Sequence, residues 1–262
     1  MTALPLFDGY IFDLDGTIYL GEHPLPHAVE TLAKLRAAGK HIAFLSNNPT
    51  HTRDAYVARL TNMGVQVELG QIINSSLVMT RWLQREAPGA RLFVIGEQPL
   101  IDELREAGFT LTEHAGEIEF VVASFDRTFT YHKLQVAFDA IRAGARLVAT
   151  NADRYCPVPG GGQPDAAAII AAIEACTNTQ IEIVVGKPSS ITANEVAALL
   201  RLPAERCIMV GDRVETDIAM GRNAGMATAL VLTGATTRET LAASAIVPDY
   251  VLDTIGPLAE AL

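Results

Sequence analysis

Polar and apolar positions alternate along this chain in blocks. Short apolar runs of four or five residues, rich in β-branched and aromatic side chains, are separated by longer segments whose apolar residues recur every three or four positions. The runs predict buried strands and the segments predict amphipathic helices. Their regular exchange predicts a parallel sheet with crossover helices. Tyr10 to Phe12 is the first strand, and Ile18 to Pro26 follows as a loop. His27 to Ala38 is a helix with Val29, Leu32 and Leu35 inward and Gly39 past its end. Ile42 to Leu45 is the second strand. Asn48-Pro49-Thr50 starts a helix through Asn62, and Ser76 to Glu86 makes another.

From about Pro88 a second strand–helix series begins. Strands are expected at Arg91–Ile95, Phe120–Ser124 and Arg146–Thr150, and helices at Pro99–Ala107, Tyr131–Arg142 and Ala166–Ala175. Asn151 to Pro164 is the longest irregular stretch, with Pro157, Pro159 and Gly160 to Gly162. Ile181 to Val185 is expected to return to the first domain. In the Ser189–Leu200 helix, Thr192 and Glu195 have capping-box spacing, and Ser189 or Ser190 is an equally good cap. A strand ending at Asp212, a helix from Thr216 to Ala224, strands at Thr228–Leu232 and Tyr250–Leu252, and a helix from Thr254 or Pro257 complete the chain.

Four of the apolar runs end in chemistry. Tyr10-Ile11-Phe12 stops at Asp13-Leu14-Asp15-Gly16-Thr17, and Ile42 to Leu45 stops at Ser46-Asn47-Asn48. Ile183 to Val185 stops at Gly186-Lys187-Pro188, and Ile208 to Val210 stops at Gly211-Asp212, with Asp217 five residues on. Parallel strands bring such ends to one edge of the sheet, where open α/β sheets bind ligands. Carboxylates at the mouth of an apolar strand call for a partner. The first run taken alone is compatible with an ordinary Asp-Gly turn. The four together pool carboxylates, a hydroxyl and a lysine, the makings of a metal and phosphate site.

Charge sharpens this picture. The 262 residues carry a net charge of −10 and show no basic cluster, which argues against nucleic acid and anionic membranes as partners. A negative protein that takes a phosphate must supply positive charge locally, so Lys187 and a divalent cation become necessary to the reading. The three cysteines, Cys156, Cys176 and Cys207, show no CxxC spacing and fit a reducing cytoplasm. Cys176 and Cys207 are expected in the core, and Cys156 in a loop. Met1 to Gly9 has no signal-peptide pattern, and no apolar run has the length of a membrane span.

The four stretches resemble, in order, the four motifs of the haloacid dehalogenase superfamily of aspartate-nucleophile phosphohydrolases: Asp13-Leu14-Asp15-Gly16-Thr17, Ser46, Lys187, and Gly211-Asp212 with Thr216-Asp217. The long insert between Ser46 and Lys187 resembles the type IIA, p-nitrophenyl phosphatase-like branch. Gly96-Glu97-Gln98, Asp102 to Arg105, Asp217 to Gly221 and Pro248 to Asp253 look like the sugar phosphatases of that branch. The resemblance implies an α/β fold: a Rossmann-like, doubly wound parallel-sheet core over residues 1–78 and 182–262, and an inserted α/β cap over residues 79–181. Such a cap is expected over the site, excluding macromolecular phosphate and admitting small phosphorylated metabolites.

The resemblance also implies roles. Asp13 would be the nucleophile, ionised at neutral pH without a base; its plain alternative is a metal ligand only. Asp15 would be general acid and then base, and would bind the metal by its backbone carbonyl. A like charge at Asp13 would raise its pKa. Asp13, Asp15 and Asp212 would hold Mg²⁺, which suits hard oxygen ligands. Asp217 would stand behind or beside them, or only stabilise a helix N-terminus. Ser46 and Lys187 would bind the phosphoryl oxygens, although Lys187 has a plain reading as a solvated turn lysine. Asn47 either donates to the phosphate or stabilises its turn. Asp165 departs from the Pro-Gly-rich pattern of the branch, and either caps its helix or faces the substrate's hydroxyls. The expected reaction is Mg²⁺-dependent hydrolysis of small phosphomonoesters, sugar phosphates first. The alternatives are nucleoside monophosphates, glycerol phosphate, or an idle phosphate-binding regulatory module. A homodimer is left open.

Overall fold

The computed structural model describes residues 4–158, 161–260 and 262. The chain divides into two units. One comprises the residues up to Ser46 with Arg53–Ile73 and Lys187–Leu262; the other comprises Asn47–Thr52 and Asn74–Gly186.

The first unit is built on a six-stranded sheet. Its order is Tyr250–Leu252, Ala227–Val231, Cys207–Gly211, Gly9–Asp13, His41–Ser46 and Ile72–Asn74. Gly9–Asp13 lies between Cys207–Gly211 and His41–Ser46, parallel to both. Strands buried on both faces read as unbroken apolar runs rather than as alternation, and Gly9–Asp13 is buried throughout. Tyr10, Phe12, Phe44 and Val210 join Leu32, Leu35 and Tyr56 in one apolar cluster. The second unit has a five-stranded parallel sheet, ordered Ile183–Val184, Arg146–Ala149, Phe120–Ala123, Arg91–Ile95 and Thr110–Leu111. Val121, Leu147, Ala137, Ile170 and Ile173 centre its own core.

Several expectations change. The run at Ile183–Val184 does not return to the first sheet: it pairs with Arg146–Ala149 at the edge of the second, Ile183 opposite Val148. A short apolar run fits the edge of either sheet, and only pairing decides. The helix expected from Asn48 starts at Arg53. Asn48 Oδ1 accepts from both the Thr50 N–H (2.9 Å) and the Thr50 hydroxyl (2.7 Å), a local turn that competes with helix. The loop at Ile18–Pro26 contains a small antiparallel pair, Tyr19–Leu20 with His23–Pro24. The irregular stretch after Asn151 contains a hairpin, Tyr155–Val158 against Gly161–Pro164. Pro159 and Gly160, part of that stretch, and Met1 to Ala3 lie outside the described residues.

Ser189 caps its helix, accepting from the Ile191 N–H. Thr192 and Glu195 are buried inside the helix, past its first residue, Ser190. Thr216–Ala224 is a π turn, Val214–Ile218, running into a short helix, Ala219–Asn223. The closing helix is one 3₁₀ turn, Gly256–Ala259. Cys207 is buried as expected, whereas Cys176 is exposed. It lies in the last turn of the Ala166–Thr177 helix, three residues past Ile173, where the buried face of Ala166, Ile169, Ile170 and Ile173 ends.

Candidate active site

Register places the chemistry of the first unit at one sheet edge. Asp13 ends its strand opposite Leu45, one residue before Ser46, and Phe12 lies opposite Val210, two residues before Asp212. All three side chains therefore leave the sheet at its carboxyl edge. Lys187 enters as the first residue of the unit's last segment. Its ammonium donates to Asp13 Oδ1 and, at 2.7 Å, to Asp217 Oδ1. The Lys187 side chain is only 3% exposed, which excludes the solvated-turn reading.

Asp13, Asp212 and Asp217 each bring a carboxylate oxygen within 4.8 Å of the others. Glycines make this approach feasible. A Cβ on Gly211 would meet Asp217 Cγ at 2.2 Å, and one on Gly234 would meet Asp212 Oδ2 at 2.0 Å. Gly16, at φ +86°, also lies against Asp212. Asp217 Oδ2 accepts from the Arg213 N–H at 3.0 Å, and Asp212 Oδ2 from the Ala235 N–H at 2.5 Å. Asp212 Oδ1 is buried and has no hydrogen-bond partner among the described residues.

The electrostatics follow from this crowding. Burial, opposed by the Lys187 charge and reinforced by the Asp217 and Asp212 carboxylates, pushes Asp13 well above the carboxylate range. Burial and the Asp217 charge push Asp212 up to about 6. Lys187 goes the other way. Burial would lower it, but the Asp13 and Asp217 charges win and hold the ammonium protonated. Three carboxylates against one ammonium leave negative charge uncompensated in a buried place, which is costly without a further cation. A hard divalent ion fits this all-oxygen donor set. The orphaned Asp212 oxygen is the observation that favours one.

Asp15 stands apart from that trio. Its Oδ2 accepts from the Tyr19 hydroxyl at 3.2 Å, and burial raises its pKa against the pull of Arg59 and of that hydrogen bond. Ser46 is buried, its hydroxyl 3.1 Å from that of Tyr56. Asn47 and Asp165 fall in the second unit. Asn47 Nδ2 donates to Asp153 at 3.0 Å. Asp165 Oδ1 accepts from the Ala166 N–H at 2.5 Å and from Asn151 Nδ2 at 3.0 Å, at the start of the Ala166–Thr177 helix. Sequence reasoning expected Asp217 to be less central than it is. It also missed Tyr19, Tyr56, Arg59 and the Gly234–Ala235 turn. That turn had a signal, since the Ala227–Val231 run also stops at small polar residues, Thr233-Gly234-Ala235-Thr236.

Comparison with known proteins agrees with this geometry. A haloacid dehalogenase-like hydrolase model matches residues 10–110, and a second HAD-hydrolase-like model matches residues 184–258. The sugar-phosphatase AraL of Bacillus subtilis (strain 168) is 39% identical over 247 residues, covering 94% of this chain and 90% of that protein. The 5'-nucleotidase YutF of the same organism is 32% identical, covering 95% and 96%. The structure of a p-nitrophenyl phosphatase from Archaeoglobus fulgidus superposes with a TM-score of 0.93 at 37% identity, covering 98% of this chain and all of that one. The chain belongs to the haloacid dehalogenase-like hydrolases, in the p-nitrophenyl phosphatase-like branch.

Proposed function

We propose that this phosphoric monoester hydrolase cleaves small phosphomonoesters, sugar phosphates among them, through an aspartyl-phosphate on Asp13 and with Mg²⁺ held by Asp13, Asp212 and Asp217. The carrying observation is the pairing of buried Lys187 with Asp13 beside an Asp212 oxygen that has no partner among the described residues. Mg²⁺, when bound, would neutralise excess carboxylate charge and screen the phosphoryl oxygens from Asp13. Lys187 and the Ser46 hydroxyl hold the phosphoryl group from the protein side. The Asp13 carboxylate attacks phosphorus, and Asp15 protonates the departing oxygen. Asp15, now ionised, takes a proton from the water that releases phosphate. Covalent capture divides one hard displacement into two easier ones, and proton transfer of this kind typically contributes about 10²–10⁴-fold.

A nucleoside monophosphate reading stands beside the sugar phosphate one, because relatives at 39% and 32% identity carry different substrate names. The described core residues address phosphate and metal rather than the leaving group, which favours broad specificity. Discrimination is assigned to the second unit, with its Asn151–Asp165 stretch. An idle phosphate-binding module is disfavoured, since a binder has no use for the raised carboxyl at Asp15. Phosphate release from p-nitrophenyl phosphate tests the reading: turnover with Mg²⁺ and none with EDTA is expected. Turnover undiminished by EDTA would remove the metal from it, and no turnover on any small phosphomonoester would remove the enzyme.

A further inference from the structure

The Gly16 turn does more than clear space for Asp212. It reverses the chain, the Gly16 N–H donating to the Tyr19 carbonyl at 2.8 Å, and so sets Tyr19 back against Asp15. Tyr19 is fully buried. Its hydroxyl reaches Asp15 Oδ2, and the face of its ring lies under the Arg59 guanidinium, 5.4 Å from the centroid. Arg59 also pairs with Glu22 at 3.6 Å, on the turn that follows Tyr19. Arg59 belongs to the Arg53–Asn62 helix, one turn after Tyr56, whose hydroxyl meets Ser46. One helix thus braces two site residues, and the tyrosine between Arg59 and Asp15 is held from both sides.

We propose that Tyr19, clasped by Arg59, is a positioning residue that selects which Asp15 oxygen carries the catalytic proton. The inference rests on the reading of Asp15 as general acid. A hydroxyl that donates to Oδ2 faces its own hydrogen toward that oxygen, so the acid proton is excluded from Oδ2 and sits on Oδ1. In the first half-reaction a bond forms between Asp13 and phosphorus. The bond from phosphorus to the ester oxygen breaks, its electron pair stays on that oxygen, and the oxygen takes the Oδ1 proton. In the second half-reaction the water oxygen bonds to phosphorus, the bond from phosphorus to Asp13 breaks with its electron pair returning to the Asp13 carboxylate, and Oδ1 takes the water's proton. Oδ2 remains on Tyr19 throughout, which fixes the carboxyl plane without changing the proton count.

The position of one proton matters in proportion to how much the leaving group needs it. An alkoxide departing from a sugar or glycerol phosphate must be protonated as it leaves, whereas p-nitrophenolate departs unaided. The test is kcat/KM, which covers every step through bond cleavage, for Tyr19→Phe in Mg²⁺. Two substrates are compared: p-nitrophenyl phosphate, and whichever of glycerol phosphate or a sugar phosphate wild type cleaves fastest. The loss on the alkyl substrate should exceed that on the aryl substrate by about 10-fold, the scale of one hydrogen bond to a charged group. Arg59→Met, which keeps the stem but removes the charge, should shift the same ratio in the same direction. Equal losses on both substrates, or no loss on either, would overturn the assignment. Asp15→Asn, run in parallel, separates the two levels. If it too fell equally on both substrates, the acid reading of Asp15 would fail, and Tyr19's role with it.

Discussion

Each unit buries carboxylates beside a lysine, and the two arrangements differ in stoichiometry. In the second unit Asp126 is matched one to one. Its Oδ2 accepts from Lys133 at 2.5 Å, and its Oδ1 accepts from the Thr128 N–H and hydroxyl at 2.8 and 2.6 Å. Both oxygens are engaged, and Lys133 keeps contact with water, its side chain 24% exposed. In the first unit Asp13 and Asp217 share the Lys187 ammonium, a third carboxylate, Asp212, lies beside them, and Asp212 Oδ1 is left without a partner among the described residues. Asp126 is what a structural buried acid requires, both oxygens bonded and its charge balanced. The Lys187 cluster contains more negative charge than folding needs. Surplus buried charge with an open oxygen is what the proposed cation and reactant would use.

The sharpest way to break this contrast is to remove one charge from each cluster. Asp13→Asn should lower turnover of p-nitrophenyl phosphate by about 10⁴-fold or more, as loss of a nucleophile does elsewhere, with a native circular dichroism spectrum. Asp126→Asn should retain turnover per folded molecule and lose about 1–3 kcal/mol of stability in denaturant unfolding, the cost of disturbing a buried bonded acid. Near-wild-type turnover in Asp13→Asn, or dead but folded Asp126→Asn, would dissolve the distinction.

A cation that completes the Lys187 cluster should stabilise the fold. At Mg²⁺ a hundredfold above its Kd the gain is about 2.7 kcal/mol, read as a rise in melting temperature. Asp126→Asn should keep the rise, and Asp212→Asn should lose most of it. The rise should also depend on pH. In the protein alone Asp212 titrates at about 6, above its unfolded value of 3.8, so folding favours its protonated form. Its contribution is fully present below the unfolded value and is lost as pH rises through the folded one. Mg²⁺ needs the ionised form and must displace that proton below about pH 6. The protein without Mg²⁺ should therefore gain stability between pH 6 and 4 from this group, while the Mg²⁺-induced rise shrinks. A rise of constant size from pH 8 to pH 5 would take Asp212 out of the metal site.

Much of this was legible because the chemistry is local in sequence. Asp13, Ser46 and Asp212 each follow an apolar run, and parallel pairing of those runs brings them to one edge. What was hidden depends on partners distant in the chain. Ile183–Val184 belongs to the second sheet because Arg146–Ala149 offers it an edge, and nothing in its own residues says so. Strands of two or three residues, Thr110–Leu111 and Ile72–Asn74, are too short to show a period. The Arg238–Ala242 helix, five residues long, escaped for the same reason. Tyr19, Tyr56 and Arg59 looked like ordinary core and surface residues, since only tertiary structure sets them on Asp15 and Ser46. The centrality of Asp217 was obscured by its place in a helix-like segment, where an acid already has a role.

The smallest effect expected concerns Asp165, and it tests which side of the comparison a buried acid falls on. Asp165 is 4% exposed, as secluded as Asp212, yet it resembles Asp126 in its bonding. Its Oδ1 takes the Ala166 N–H and Asn151 Nδ2, and Asn151 in turn reaches Asp153 at 3.1 Å and accepts from the Thr150 hydroxyl at 2.9 Å. A carboxylate knitted into such a network has a structural use for its charge: it caps a helix whose first amide is otherwise without an acceptor. Asp165→Ala should therefore cost about 1 kcal/mol in denaturant unfolding and leave unchanged the ranking of specificity constants across a panel of sugar phosphates. Asp165→Asn keeps a side-chain oxygen for the Ala166 N–H, and asparagine is as good a cap as aspartate, so most of the stability should return. A ranking reordered by more than about 10-fold in both variants would mean that the charge itself meets substrate hydroxyls, because the loss of one such contact is costly in a dedicated site. Burial alone would then be a poor guide in this chain, and Asp165 would join the Lys187 cluster as an acid kept for chemistry.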